Sequence, residues 1–477
     1  MKSKSSKFKS NGNIAFQAGI WYVISSIMVK MVSVITTPIF TRILSTDDYG
    51  TVATFSSWYS MFLVIYSLNL SVSIGRAKID YPDKLDEYIG SIQTLSFIVS
   101  LGLSAIIVIF ISPLSRFFEL SVSGTFVLLL YLISAPTISF VQSGYRYKYK
   151  YKQNIAIAWY ITLSTVFVSL LLIKLDPDNK ALMRMLGIAI PSILLSLYFW
   201  VITIKKHCFI INLEYWRYGL NISVPMILHA VSMNILAQSD RIVISKFDGP
   251  TQVAFYSLIR NYALLLFVIT DAINQAWLPW FHDNYHLGNV NEIRENTKSL
   301  VILTCYIGLA CISIGPEAIL LLGGEQYSEA IVCLMPMVLG VVCQCIYTHY
   351  INIELHKKKT KYASQGTVIA ATTNIVLNLI FVPLIGYQAA AYTTFASYLL
   401  LLVLHCYITH KKLGISLYDD KFLFGAIIIT SVISFGVSLT YETLVLRYII
   451  ICIGFISFLF VFRNHIFVYI KKIERKK

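Results

Sequence analysis

Apolar runs of about twenty residues recur along the whole chain, each long enough as a helix to cross a ~30 Å hydrocarbon core. They predict spans near 14–40, 51–75, 89–112, 122–143, 153–174, 182–204, 219–243, 255–277, 299–322, 329–353, 363–382, 387–409, 422–440 and 444–462. Alternating ten-residue strands are absent, so the pattern predicts an all-α polytopic membrane protein of about 14 transmembrane helices and not a β-barrel. The longest gap, 278–298, leaves no room for a soluble catalytic domain, and no GxxxxGK[ST] phosphate loop occurs. An enzyme is therefore not expected.

A faint repeat runs through the spans. Span 1 exits through Pro38-Ile39-Phe40-Thr41-Arg42 and then Asp47-Asp48-Tyr49-Gly50; span 7 exits through Asp240-Arg241-Ile242 and then Gly249-Pro250. Spans 3 and 9 both end at a proline, Pro113 and Pro316. Matching features lie six spans apart, an even number, so the halves share one orientation about an axis along the membrane normal. The expected organisation is an N-lobe over 1–204 and a C-lobe over 219–409. An interfacial linker, 205–218, joins these two parallel six-helix lobes, and an extra C-terminal helix pair with a basic tail fills 410–477. Such halves are a transporter architecture more often than a channel or enzyme one.

Composition agrees: 57% of residues are hydrophobic, 13% are charged, and the mean hydropathy is +0.69, where a soluble domain carries about a quarter charged residues. The net charge of +15 could suggest nucleic acid, but its distribution says otherwise. With the N-terminus inside, the 39 Lys and Arg divide into 29 on the cytoplasmic side, 8 on the other, and Lys30 and Arg260 within spans. That bias is positive-inside topology with both termini cytoplasmic. The basic N-tail resembles a signal n-region, yet no A-x-A-like site follows and the first run is too long for an h-region, so it is expected to stay as the first helix. The eight cysteines form no CxxC pair and are expected to be packing residues.

Ionisable residues inside a membrane are costly and mark pathways. Polar residues on a shared helix face, at i+3, i+4, i+7 and i+11, are therefore the informative pattern. Span 1 carries Ser26, Lys30, Ser33 and Thr37; span 2 carries Tyr59, Tyr66, Asn69, Ser73 and Arg76. Span 7 carries Asn221, Pro225, His229 and Ser232; span 8 carries Arg260 and Asp271, with Asn274 and Gln275 continuing the stripe. These four spans are equivalent pairs under the repeat, which points to a shared cationic central cavity. Each residue also has a structural reading. Lys30 could snorkel, Arg260 could pair across helices, and His229 could be a satisfied core histidine. The substrate-binding candidates are Lys30, Tyr66, Asn69, Arg76, His229, Arg260, Asn274 and Gln275. The ion-coupling candidates are Asp271 and then Asp240, with Glu317 and Glu354 weaker at span ends. His282 and His286 have the i,i+4 spacing of a zinc site, but no third ligand is evident and no metal is expected. Cations suit a phosphate or pyrophosphate, and Tyr, Asn and Gln suit sugars, so a sugar-phosphate on a lipid tail fits all of them.

Three stretches carry a resemblance: PIFTRILSTDDYGTVATF (38–55), GPEAILLLGGEQYSEAIVCLMPM (315–337), and TTNIVLNLIFVPLIGYQAAAYTTFASYLL (372–400) with Asn374, Asn378, Pro383, Gly386 and Ala389–Ala391. Over about residues 10–412 the chain resembles the Wzx-type polysaccharide flippases of the multidrug/oligosaccharidyl-lipid/polysaccharide exporter superfamily. The resemblance implies translocation of an undecaprenyl-pyrophosphate-linked oligosaccharide repeat unit across a bacterial plasma (inner) membrane for capsule, O-antigen or exopolysaccharide. It implies alternating access driven by a proton or sodium gradient, no cofactor, and work alongside a polysaccharide polymerase. The alternatives are a drug/cation antiporter, which would want an acidic cavity, and a lipid II flippase of the same superfamily.

Overall fold

A computed structural model describes residues 34–207, 211–357 and 359–474, together with a few positions between 21 and 32. About half of predicted span 1, including Tyr22, Ser26 and Ser33, lies outside the described residues, as do Cys208, Phe209 and Ile210 of the predicted linker. Every described element is helical, and no strand occurs among the described residues. Twelve helices are long and apolar enough to cross a membrane, or thirteen if one bent pair is a single span.

Residues 34–43 are helical and lead into α1 (Thr46–Tyr66), α2 (Ile74–Asp80), α3 (Leu85–Ile109), α4 (Ile111–Phe117), α5 (Val122–Tyr147), α6 (Tyr151–Leu175) and α7 (Lys180–His207). Then come α8 (Leu213–Phe247), α9 (Pro250–Leu287), α10 (Val290–Gly323), α11 (Leu334–His356), α12 (Thr360–Ile385), α13 (Gln388–Tyr407), α14 (Asp420–Ser438) and α15 (Leu444–Glu474). Packing divides them into two units, Met1–Ser257 with Thr367–Ala390, and Leu258–Gly366 with Ala391–Lys477.

In the first unit, the motif after the first helical stretch explains itself. Ser45 caps α1: its hydroxyl accepts from the Asp48 amide at 3.1 Å, and Asp48 reaches back to the Ser45 amide, a capping box. Asp47 and Asp48 sit in the first turn, where the helix dipole favours acids. Gly50 is required by close approach, because a Cβ there would lie 1.7 Å from the Pro250 carbonyl oxygen. Thr251 donates to Asp47 across the same junction. The two helix starts that the repeat predicts to be equivalent, before α1 and before α9, therefore pack on each other. Trp58, Phe118, Tyr131 and Leu132 anchor a large apolar core beside them.

Predicted span 2 is not one straight helix. α1 ends at Tyr66, Leu68 and Asn69 take left-handed φ of 49° and 51°, and the chain restarts at a 51° bend. The end of a helix frees carbonyls. Here the Tyr66 carbonyl accepts from Ser96 Oγ at 2.9 Å and Ser100 Oγ at 3.2 Å, both on α3. The break interrupts the helical register on which the stripe Tyr59–Tyr66–Asn69–Arg76 was read.

In the second unit, small residues bring helices together. A Cβ on Gly308 would meet Val342 at 2.7 Å, so α10 and α11 approach at that point. Glu317 on α10 pairs with the buried Arg447 of α15, and Tyr350 on α11 donates to Asp420 at the start of α14 at 2.6 Å.

Candidate functional site

The polar candidates fall into separate environments. Lys30 is exposed, on a described stretch ahead of residues 34–43. Tyr66 is 1% exposed and shares a hydrogen bond with Ser104 at 3.1 Å, so it sits inside the α1–α3 packing. Asn69 occupies the left-handed turn, which Asn tolerates better than most residues. Arg76 is exposed and pairs with Asp80 at 3.4 Å. His229 is partly buried on α8, four residues beyond Pro225.

On α9, Arg260 is buried at 6% exposure. Asp271 accepts from Gln275 Nε2 at 2.8 Å, and Asn274 accepts from Asn352 of α11 at 3.0 Å. Asp271 and Asn274 line a cavity of about 30 Å³ with Thr270, Thr304, Thr348 and His349. That space holds about one water. Among the substrate and coupling candidates, Asp271 and Gln275 are joined directly.

Asp240 is different. It is 1% exposed, near the end of α8, in a polar cluster built from three helices of the first unit. Its Oδ2 accepts from the hydroxyl of Tyr256 on α9. Its Oδ1 accepts from Asn378 Nδ2 on α12 at 2.6 Å. Asn378 also reaches Asn374 Oδ1 at 3.3 Å, and Ser239 Oγ donates to that same oxygen at 3.0 Å. Both asparagines are 0% exposed. Asn374 and Asn378 stand four residues apart and so share one face of α12. Sequence reading singled out this pair as a family feature and missed its role beside Asp240; the i,i+4 spacing of two amides in an apolar span was the available signal.

The two weaker acidic candidates are engaged. Glu354, 0% exposed, lies 2.8 Å from His405 Nδ1, and Glu317 holds Arg447. His282 and His286 gain a neighbour that the sequence did not reveal: His356 stacks on His282 with ring nitrogens 2.7 Å apart.

The profile of the polysaccharide biosynthesis protein family matches residues 15–285, more than half of the chain. The chain belongs to that family. Membership agrees with the likeness of the 38–55 stretch to Wzx-type flippases and places the chain in the same superfamily. A Haemophilus influenzae protein of the Lsg locus is 21% identical over 287 residues, 56% of this chain, and the match spans 66% of that protein's own length.

Solved structures give the fold of this family member. The lipid II flippase MurJ in an inward closed conformation superposes with a TM-score of 0.72 at 14% identity, over 94% of this chain and all of that one. An inward-facing multidrug resistance MATE family transporter superposes at 0.62, also at 14% identity, over 82% of this chain and 98% of its own. A transporter from Pyrococcus furiosus, described as having a binding pocket of reversed polarity, superposes at 0.55 and 15% identity, over 84% of this chain and 95% of its own. The fold is that of a multi-pass transporter.

Proposed function

We propose that this protein is a flippase that moves an undecaprenyl-pyrophosphate-linked oligosaccharide repeat unit from the cytoplasmic to the outer leaflet of a bacterial plasma membrane. It would serve assembly of capsule, O-antigen or exopolysaccharide, by cation-coupled alternating access between the lobes 1–204 and 219–409. The observation that carries the reading is membership of the polysaccharide biosynthesis family over residues 15–285. The positive-inside bias supports an inner-membrane protein with cytoplasmic termini.

Lys30 and Arg260 supply positive charge toward the pyrophosphate. Arg76 and the polar candidates Asn69, His229, Asn274 and Gln275 serve the headgroup less directly. Tyr66, locked against Ser104, contributes through packing. Of the two coupling candidates, Asp240 ranks above Asp271. A buried carboxylate that accepts from the Tyr256 hydroxyl and the Asn378 amide, with Asn374 and Ser239 bonded alongside, supports a role in handling a proton or alkali cation. The driving force would be a proton or sodium gradient, with no cofactor and with a polysaccharide polymerase as the downstream partner.

The test is complementation of a flippase-deleted strain whose repeat unit this protein accepts. Wild type restores surface polysaccharide and clears the inner-leaflet lipid-linked repeat unit. Lys30→Ala and Arg260→Ala abolish or strongly reduce restoration at unchanged protein level; full restoration by both sinks the charge assignment. Rescue of a lipid II flippase deletion instead would move the substrate to lipid II. Cation-dependent drug efflux with no rescue would make it an antiporter.

A further inference from the structure

Cys406 lies near the end of α13, His410 in the π-helical turn Ile408–Lys412 that follows, and Asp420, which accepts from Tyr350, at the start of α14. One potential ligand atom from each lies within 4.8 Å of both others. Among the described residues, this is the one group of three His, Cys, Asp or Glu side chains that converges so closely. His410 Nδ1 faces Asp420 Oδ2 at 3.1 Å. All three residues are partly buried, and the other ring nitrogen of His410 is buried without a hydrogen-bond partner. Buried polar atoms of that kind are uncommon. The other oxygen of Asp420 is oriented by the Tyr350 hydroxyl at 2.6 Å, as outer partners of metal-bound carboxylates are. π-turns themselves are rare and frequent at functional sites.

We propose that Cys406, His410 and Asp420 bind one zinc ion, which clamps α13 to the start of α14. The chemistry selects the metal. A thiolate, an imidazole and a carboxylate match zinc, while magnesium and calcium want oxygen alone. At the usual distances of about 2.0–2.3 Å, ligand atoms around one zinc stand roughly 3.3–3.8 Å apart, so small side-chain rotations close the site. Three protein ligands leave a fourth position to water. The charge bias places this end of the helices on the cytoplasmic side, where the thiol stays reduced. Ion and water bind at the head of the 413–419 connection, which the Lys298–Asp419 ion pair at 3.2 Å already ties to α10. Because Cys406 must lose its proton to bind, zinc affinity falls as pH falls.

Full-length protein, purified in detergent and stripped with a chelator, is titrated with zinc alone and, separately, with cobalt(II) alone as an optical probe. Wild type is expected to bind one equivalent of zinc, to unfold at higher temperature with it, and to show a thiolate-to-cobalt charge-transfer band. Cys406→Ser should lose that band, and Cys406→Ser and His410→Ala should each weaken zinc at least about tenfold and lose the thermal shift. The band in wild type tests the site even where a variant fails to fold. Absence of stoichiometric zinc in wild type overturns the proposal. So does zinc retained by Cys406→Ser but abolished by His282→Ala with His286→Ala, which would move the metal to the histidines around His356.

Discussion

Asp240 holds its carboxylate at 1% exposure by accepting from Tyr256 and Asn378. Two properties follow from one residue, and they separate by substitution. Asp240→Asn keeps the volume and removes the charge, so cation-coupled transport should fall at least about tenfold while folded protein accumulates normally. Asp240→Ala removes an acceptor from the buried Tyr256 hydroxyl and another from the Asn378 amide, and should lower stability by about 1–3 kcal/mol in thermal unfolding. Equal transport by Asp240→Asn and wild type would return the coupling role to Asp271. Gly50 makes a residue-scale prediction of another kind. A methyl there strikes the Pro250 carbonyl, which is backbone and cannot rotate aside. Gly50→Ala should therefore cost about 1–3 kcal/mol, read as a lower unfolding temperature in detergent.

At the scale of elements, the hydrophobic pattern located the described spans well, because a membrane demands long apolar runs and forbids exposed backbone. Twelve helices stand where spans 3 to 14 were read, from Leu85–Ile109 through Leu444–Val461. The bend in span 2 was not legible. Ser67-Leu68-Asn69 carries no proline or glycine, and Leu68 in a left-handed turn defies its own preference. Tertiary bonds decide it, since Ser96 and Ser100 satisfy the carbonyl that the break releases. Asn69→Val puts a β-branched residue into that turn and should destabilise by about 1 kcal/mol, checked by thermal unfolding against Asn69→Gly, which should be tolerated. The candidate site was half visible. Asp240 was read from charge, and Asn374 and Asn378 from their place in a recognisable stretch. Their union could not be read, because nothing local says that α12 packs on α8. The site at Cys406, His410 and Asp420 was hidden for the same reason, its third member lying across a connection from the first two.

At the scale of the whole molecule, a few long-range polar bonds are set in much apolar surface. Glu354 with His405 and Glu317 with Arg447 each join helices distant in sequence. Buried pairs of this kind contribute little net stability against apolar residues of the same shape, but losing one partner is costly. His405→Ala should therefore destabilise more than the joint replacement His405→Leu with Glu354→Leu, by roughly 1–3 kcal/mol in thermal unfolding. Equal losses would show that the pair acts on its own and not through an abandoned partner.

The Asp240 cluster also sets a timetable for synthesis. Asp240 and Asn378 are separated by 138 residues. At roughly 5–20 residues per second, the ribosome delivers the amide about 7–28 s after the acid. For that interval the cluster is incomplete while α8 and α9 have already been made. The insertion machinery, or lipid headgroups at the membrane surface, must shelter a carboxylate whose final partner does not yet exist. Nascent chains arrested before residue 378 should accordingly remain cross-linkable to that machinery near Asp240, and chains arrested well after it should not.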